Sequence, residues 1–192
     1  MPLLAVPFES VLLDHLVTIA SAYSAAQVAL PGGSALGFTA ERDRLDSVND
    51  DDVRVSPKVI FYADSIQSDG PRVTEQGVVS VVVEMYVASL ETVAGDGDKA
   101  ALARLYYLKE QVKAALWNLV SVNLGFGAGT CGNPKWGRFQ TFKPNTQTGE
   151  LWGIGGTLSF DVAYSWNPED IATPTLDQVS VVTGMWSGLY NV

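Results

Sequence analysis

Two long alternating segments constrain this chain more than any other feature. In residues 77–90, Val79, Val81, Val83, Met85 and Val87 alternate with Val78, Ser80, Val82, Glu84 and Tyr86. In residues 151–166, Leu158, Phe160, Val162, Tyr164 and Trp166 alternate with Thr157, Ser159, Asp161, Ala163 and Ser165. A period of two sends the two sets to opposite faces of a strand. The β-branched density of the first segment predicts a strand covered on both faces for part of its length. The second has one apolar, aromatic face that needs helices against it. Both are much longer than the usual strand of about 5–6 residues, so an all-helical fold is excluded.

Shorter signals complete the pattern. Lys58-Val59-Ile60-Phe61-Tyr62 centres a strand over residues 53–63, with Pro57 confining its start to an edge or bulge. Residues 64–76 hold Asp69-Gly70-Pro71 and predict a turn, so this strand and the one after it form an antiparallel hairpin. Residues 139–147 and 151–166 predict a second hairpin, turning near Thr148-Gly149. Residues 8–27 read as an amphipathic helix with Val11, Leu12, His15, Leu16, Ile19 and Tyr23 on one face. Pro7 and Glu9 suit its first turn, and Pro31-Gly32-Gly33 stops it. A second helix spans about 99–121, capped by Asp98 and buried through Leu102, Leu105, Val112, Leu116 and Leu119. Residues 32–52 predict a long loop that serves interaction, and residues 122–138 a Gly-rich irregular stretch.

The expected fold is α+β: a four-stranded, largely antiparallel sheet with helices packed on one face. The order is α-β-β-α-β-β plus a C-terminal extension. Residues 1–166 form the domain, including the long loop 28–52. Residues 167–192 are too apolar for a spacer, and dock on the same chain or a neighbour through side chains such as Trp186 and Tyr190.

At 192 residues, 47% hydrophobic and 17% charged, the chain has enough apolar residue for one buried core and too little charge for disorder throughout. The apolar N-terminus lacks a basic region and is interrupted by Glu9 and Asp14, so it does not read as a signal peptide. No stretch approaches the roughly 20 uninterrupted apolar residues of a membrane span, and a soluble protein without membrane contact is expected. The single cysteine, Cys131, forbids an internal disulfide and fits a reducing cytoplasm.

The net charge of −9 argues against a surface that grips nucleic acid phosphates throughout. Its distribution is uneven. Residues 1–41 carry −3, 42–98 carry −7, 99–143 carry +6 and 144–192 carry −5. Charge runs commonly mark solvated faces. The sharper reading is that a basic block and acidic blocks on one chain suit head-to-tail contact between copies. The basic candidates are Lys99, Arg104, Lys109, Lys113, Lys135 and Arg138.

Chemical motifs are few, and context defeats each. Gly127-Ala128-Gly129-Thr130-Cys131-Gly132 spells G-x-G-x-x-G, but a dinucleotide cradle needs a strand before it and a helix after it. Here a helix precedes and Asn133-Pro134 follows. Cys131 as a nucleophile needs a base, and the sole histidine, His15, lies on the first helix, where a core or interface role fits it. Ser34 lacks the elbow of a hydrolase nucleophile, and Asp50-Asp51-Asp52 lacks the spaced ligands and turn glycine of a calcium loop. Asp96 and Asp98 are explained by a turn and a cap. Tyr106, Tyr107 and Trp117 suit interface anchors, with core packing the equal or better reading. No catalytic residue, cofactor site or metal site is expected, and the chain reads as a structural protein rather than an enzyme.

Four runs carry a resemblance to a known family. They are Ser56-Pro57-Lys58-Val59-Ile60-Phe61-Tyr62-Ala63, then Gly77 to Ala88, then Tyr107 to Leu116, then Gly156 to Tyr164. In order and character they resemble the tail terminator (tail completion) proteins of contractile-tailed, Mu-like phages, over about residues 8–166. The resemblance implies a virion protein, assembled in the host cytoplasm and located at the tail and neck. It implies a homohexameric ring that caps the tail tube, halts tube and sheath polymerisation, and presents a surface to the head-completion or neck protein. DNA would pass through its lumen without specific binding. A lumen of that kind gains from negative charge, and Asp50, Asp51, Asp52, Asp69 and Glu75 are the candidate lining acids. The alternatives are another ring of the neck or tail, such as a head–tail joining protein or a tube subunit. A small-ligand domain or enzyme using the 122–138 loop is the reading from a different class.

Overall fold

The computed structural model describes residues 7–33, 37–43, 56–69, 75–90, 97–120, 123–126, 130–142 and 151–166. Among these residues, two helices and five strands follow in the order α1 (Phe8–Val28), β1 (Thr39–Arg42), β2 (Lys58–Ser68), β3 (Glu75–Leu90), α2 (Gly97–Val120), β4 (Lys135–Phe142) and β5 (Leu151–Trp166). One short turn, Asn123–Gly125, lies between α2 and β4. The strands form a single sheet in the order β1-β2-β3-β5-β4.

The α+β class stands, but the sheet has five strands and is mixed. The segment expected to be a long loop contributes β1, which pairs parallel with β2 from Thr39↔Lys58 to Arg42↔Phe61. Four residues with one apolar side chain carry no periodic signal of their own. They become a strand because β2 offers them a row of backbone partners. Ser24 helps to hold them: its hydroxyl donates to the Phe38 carbonyl at 2.7 Å and accepts from the Phe38 N–H at 2.8 Å.

The two long segments form the centre of the sheet. β3 and β5 run antiparallel in unbroken register from Glu75↔Trp166 to Leu90↔Leu151. Val79, Val81, Val83, Met85 and Val87 are buried, as are Leu158, Phe160, Val162, Tyr164 and Trp166. Both helices pack over this face. The other β3 set, Val78 to Tyr86, is only half-buried, so coverage on both faces is not what the valines reflect. They reflect one core face and a second face with cross-strand polar pairs, such as Ser80 donating to Asp161 at 2.7 Å.

Strand bounds shift for physical reasons. β2 begins at Lys58, just after Pro57, and continues to Ser68 instead of turning after residue 63, because β3 pairs with it down to Ser68↔Gly77. A bulge between Ala63 and Ser65 absorbs the mismatch. β4 starts at Lys135 rather than 139, with its own bulge between Trp136 and Phe139. The turn expected near Thr148-Gly149 lies outside the described residues.

α1 starts after Pro7, whose carbonyl accepts from the Ser10 N–H at 3.1 Å. Its covered stripe is Phe8, Leu12, Leu16, Ala20 and Ser24, joined by Leu13. Of the expected face only Leu12 and Leu16 belong to it. Val11, Ile19 and Tyr23 flank it and are half-buried, because small Ala20 and Ser24 let the sheet and β1 approach closely. By length and composition α1 would suit a membrane span. In this fold its most apolar side is spent on the core. α2 buries Ala101, Leu105, Leu108, Val112, Ala115 and Leu116, with Leu102 half-buried at the margin. The side chain of Leu119 lies outside the described residues.

Candidate assembly surfaces

The basic block does not form one patch. α2 lies over β3 and β5, so one of its flanks overhangs β4, the outer strand beside β5. Lys109 and Lys113 stand on that flank. The Lys109 Nζ is 5.2 Å from the centre of the Phe139 ring and 5.6 Å from that of Tyr106, and it pairs with Glu110 at 2.8 Å. Its hydrogen bond to Glu110 draws that exposed carboxyl below its usual range. The Lys113 Nζ sits 5.8 Å from the Trp136 ring centre. These spacings suit cation–π attraction, each contact worth about 0.5–1 kcal/mol at exposed sites. Below them, Lys135 and Arg138 are exposed on β4 itself. Arg138 donates to Gln140 at 2.9–3.0 Å once the amide oxygen faces the guanidinium.

Four of the six basic candidates therefore share the β4 side. Arg104 is tied elsewhere, donating to the Ala88 carbonyl at 2.7 Å, and Lys99 is exposed on the first turn of α2. Tyr106 and Tyr107 are 46% and 50% exposed, which removes the core reading for both. The Trp117 side chain, Trp186 and Tyr190 lie outside the described residues.

Of the lumen acids, Asp50, Asp51 and Asp52 lie outside the described residues. Asp69 and Glu75 both lie at the far end of the β2–β3 hairpin, where the Asp69 N–H donates to the Gln76 carbonyl at 3.0 Å. Glu75 accepts from the Tyr164 hydroxyl at 2.7 Å. Burial first, then that carboxylate, pushes the Tyr164 phenol above its ordinary range. Asp64 is exposed in the β2 bulge nearby, on a stretch whose residues 64–68 are all exposed, Ile66 by 45%. Asp64 and the aromatic floor of Trp136 and Phe139 escaped the sequence reading. The G-R pair between those aromatics was the available signal for a bulge.

On the face that the helices leave open, Glu84 accepts hydrogen bonds from Tyr62 at 3.1 Å and Tyr86 at 2.7 Å. Burial and the Glu84 charge push the Tyr62 phenol up to about 12, so it stays a donor at neutral pH. Lys58, on the same face, is paired with Glu41 at 2.7 Å.

The remaining chemical candidates are spent on structure. His15 Nε2 donates to the Leu124 carbonyl and the Cys131 thiol donates to the Asn123 carbonyl at 2.9 Å. Both residues thus reach one turn, but each is committed to a different backbone oxygen. Burial raises the Cys131 thiol to about 12, the wrong direction for a nucleophile at neutral pH. Residues 130–132 run beside β5, with Cys131 bridging Tyr164 and the Gly132 N–H donating to the Ala163 carbonyl at 2.7 Å. A strand follows them, not the helix a pyrophosphate cradle requires; residues 127–129 lie outside the described residues. No cluster of three metal-ligating side chains occurs among the described residues.

The fold is similar to that of a chain in a solved structure described as "Virion of native gene transfer agent (GTA) particle". The identity is 14%, the TM-score 0.47, and the match covers 78% of this chain and 96% of that one. No family model matches the chain, and no curated protein does.

Proposed function

We propose that this chain is a structural protein of a phage-type virion, a ring subunit that caps the tail tube, stops tube and sheath polymerisation and joins the tail to the neck. The observation that carries this reading is the sequence resemblance to tail terminators. Its four runs fall on β2, β3, α2 and β5, the elements that build the core. The surfaces support it. A domain that presents basic residues along one sheet edge and acidic residues near the other is suited to heterologous contact, which closes into rings when the rotation permits. The role is non-enzymatic, and the tail tube, the sheath and a neck protein are its partners. DNA passes through without base recognition.

Electron microscopy of the purified chain mixed with tail tubes tests the role. Rings at one end of each tube are the expected result. Long stacks of rings would replace the terminator with a tube subunit, and a monomer holding a ligand would end the structural reading.

A further inference from the structure

We propose that the β4 edge of one copy pairs, antiparallel, with the exposed distal half of β2 in a second copy. This deepens the ring reading above by naming the contact between subunits.

Both strands are edges. β4 pairs with β5 on one side, and among the described residues nothing pairs with it on the other. β1 covers β2 only from Lys58 to Phe61, which leaves Ser65–Ser68 with β3 as the described partner on one side alone. Such edges are templates for a further strand, and bulges and charges are the usual means of blocking random pairing. Here the bulges leave two regular runs of matching length, Ser65–Ser68 on β2 and Phe139–Phe142 on β4.

Charge then selects the partner. β4 carries Lys135 and Arg138, whereas distal β2 carries Asp64 and is followed directly by Asp69. Like charges opposed across strands are destabilising, so β4 against β4 and β2 against β2 are both disfavoured. β4 against β2 is favoured.

One register satisfies faces and charges together. Within the sheet, β2 runs opposite to β3, β3 opposite to β5, and β5 opposite to β4. A second copy placed beside β4 with its helices on the same side therefore presents β2 antiparallel to β4. Setting Ile66 opposite Thr141 puts both on the helix-covered face, since Ile66 pairs with buried Val79 and Thr141 with Gly156, the partner of buried Met85. Ser68 then meets Phe139, and Asp69 meets Arg138 on the open face. A slip of one residue would reverse every face, and a slip of two would lose the Asp69–Arg138 pair. The contact covers exposed Ile66 beside the Phe139 platform. It also makes Asp69 a subunit contact rather than a channel-lining acid.

The test is charge exchange read by light scattering and sedimentation. Arg138→Glu alone and Asp69→Arg alone are expected to weaken self-association about tenfold or more. The chain carrying both changes, and an equimolar mixture of the two single variants, are expected to reassemble. Both positions are exposed, and matching circular dichroism confirms folding. An independent measurement mixes Ile66→Cys protein with Thr141→Cys protein, where a disulfide-linked heterodimer is expected. Wild type that stays monomeric, single variants that assemble normally, a double variant as weak as the singles, or no heterodimer would each overturn the proposal. Rings on tube ends with unaffected charge variants sink this contact but leave the cap. Successful charge exchange without tube binding does the reverse.

Discussion

Leu124 is fully buried at φ +55, between Asn123 at +53 and Gly125 at +79. Left-handed backbone costs a non-glycine residue about 1–2 kcal/mol, so this turn needs outside support. Burial of Leu124 supplies part. His15 and Cys131 supply the rest by donating to the two adjacent carbonyls. Burial holds the His15 imidazole below its usual 6.5, with the Leu124 carbonyl opposing more weakly. The unfolded chain then takes up the proton more readily than the folded one. The stability contributed by His15 is present in full above about pH 6.5 and is lost as pH falls below it toward the folded value. The thermal midpoint is therefore expected to drop as the pH falls below about 6.5, and His15→Gln to flatten that slope. The Cys131 thiol, raised to about 12, is expected to resist aromatic disulfide reagents in the native protein and to react at once in denaturant. The core role of His15 was legible beforehand, but the turn it shares with Cys131 was not. The sequence shows one histidine and one cysteine 116 positions apart, and only the closing of α1 over the sheet brings them to one turn.

At the scale of elements, β4 depends on glycines in its neighbour. A Cβ on Gly155 would stand 2.5 Å from the Phe142 ring, and one on Gly156 would stand 2.8 Å from the Phe139 ring. The two aromatics lie across the bare backbone on opposite faces, and Phe142 meets Tyr86 edge-on at 5.6 Å. Gly156→Val is expected to cost about 1–3 kcal/mol by displacing Phe139, measured by denaturant unfolding. Ser24→Ala removes both hydrogen bonds that hold the approach to β1 and is expected to cost about 1–3 kcal/mol in the same assay. The contrast between elements is instructive. β3, β5 and α2 were readable because each buries a periodic set of large apolar side chains. β1 was not, because its four residues are specified by β2 and Ser24 rather than by their own pattern. The stripe on α1 was only half readable, since alanine and serine carry it near its end and hydrophobicity alone overlooks them.

At the scale of the molecule, charge and edge coincide. Lys109, Lys113, Lys135 and Arg138 gather on one side of the sheet, and Asp64 and Asp69 mark the free part of the other. An assembly held this way is expected to weaken with salt, because the Debye length falls from about 10 Å at 0.1 M to about 3 Å at 1 M. Sedimentation across that range checks it, and the charge-exchanged chain should show the same dependence. Periodicity and composition by themselves determined that there is an α+β core, that β3 is a long strand in it, which faces of β5 and α2 enter it, and that the charge is divided along the chain. These properties belong to neighbours in sequence, where a period of two or about 3.6 decides what is buried. The tertiary structure alone decided that the sheet has a fifth, parallel strand, and that among the described residues β4 and distal β2 each lack a strand partner on one side. It alone also placed Arg138 and Asp69 on opposite sides. Those are matters of long-range strand pairing, which depend on which backbone is left without a partner after the core has closed.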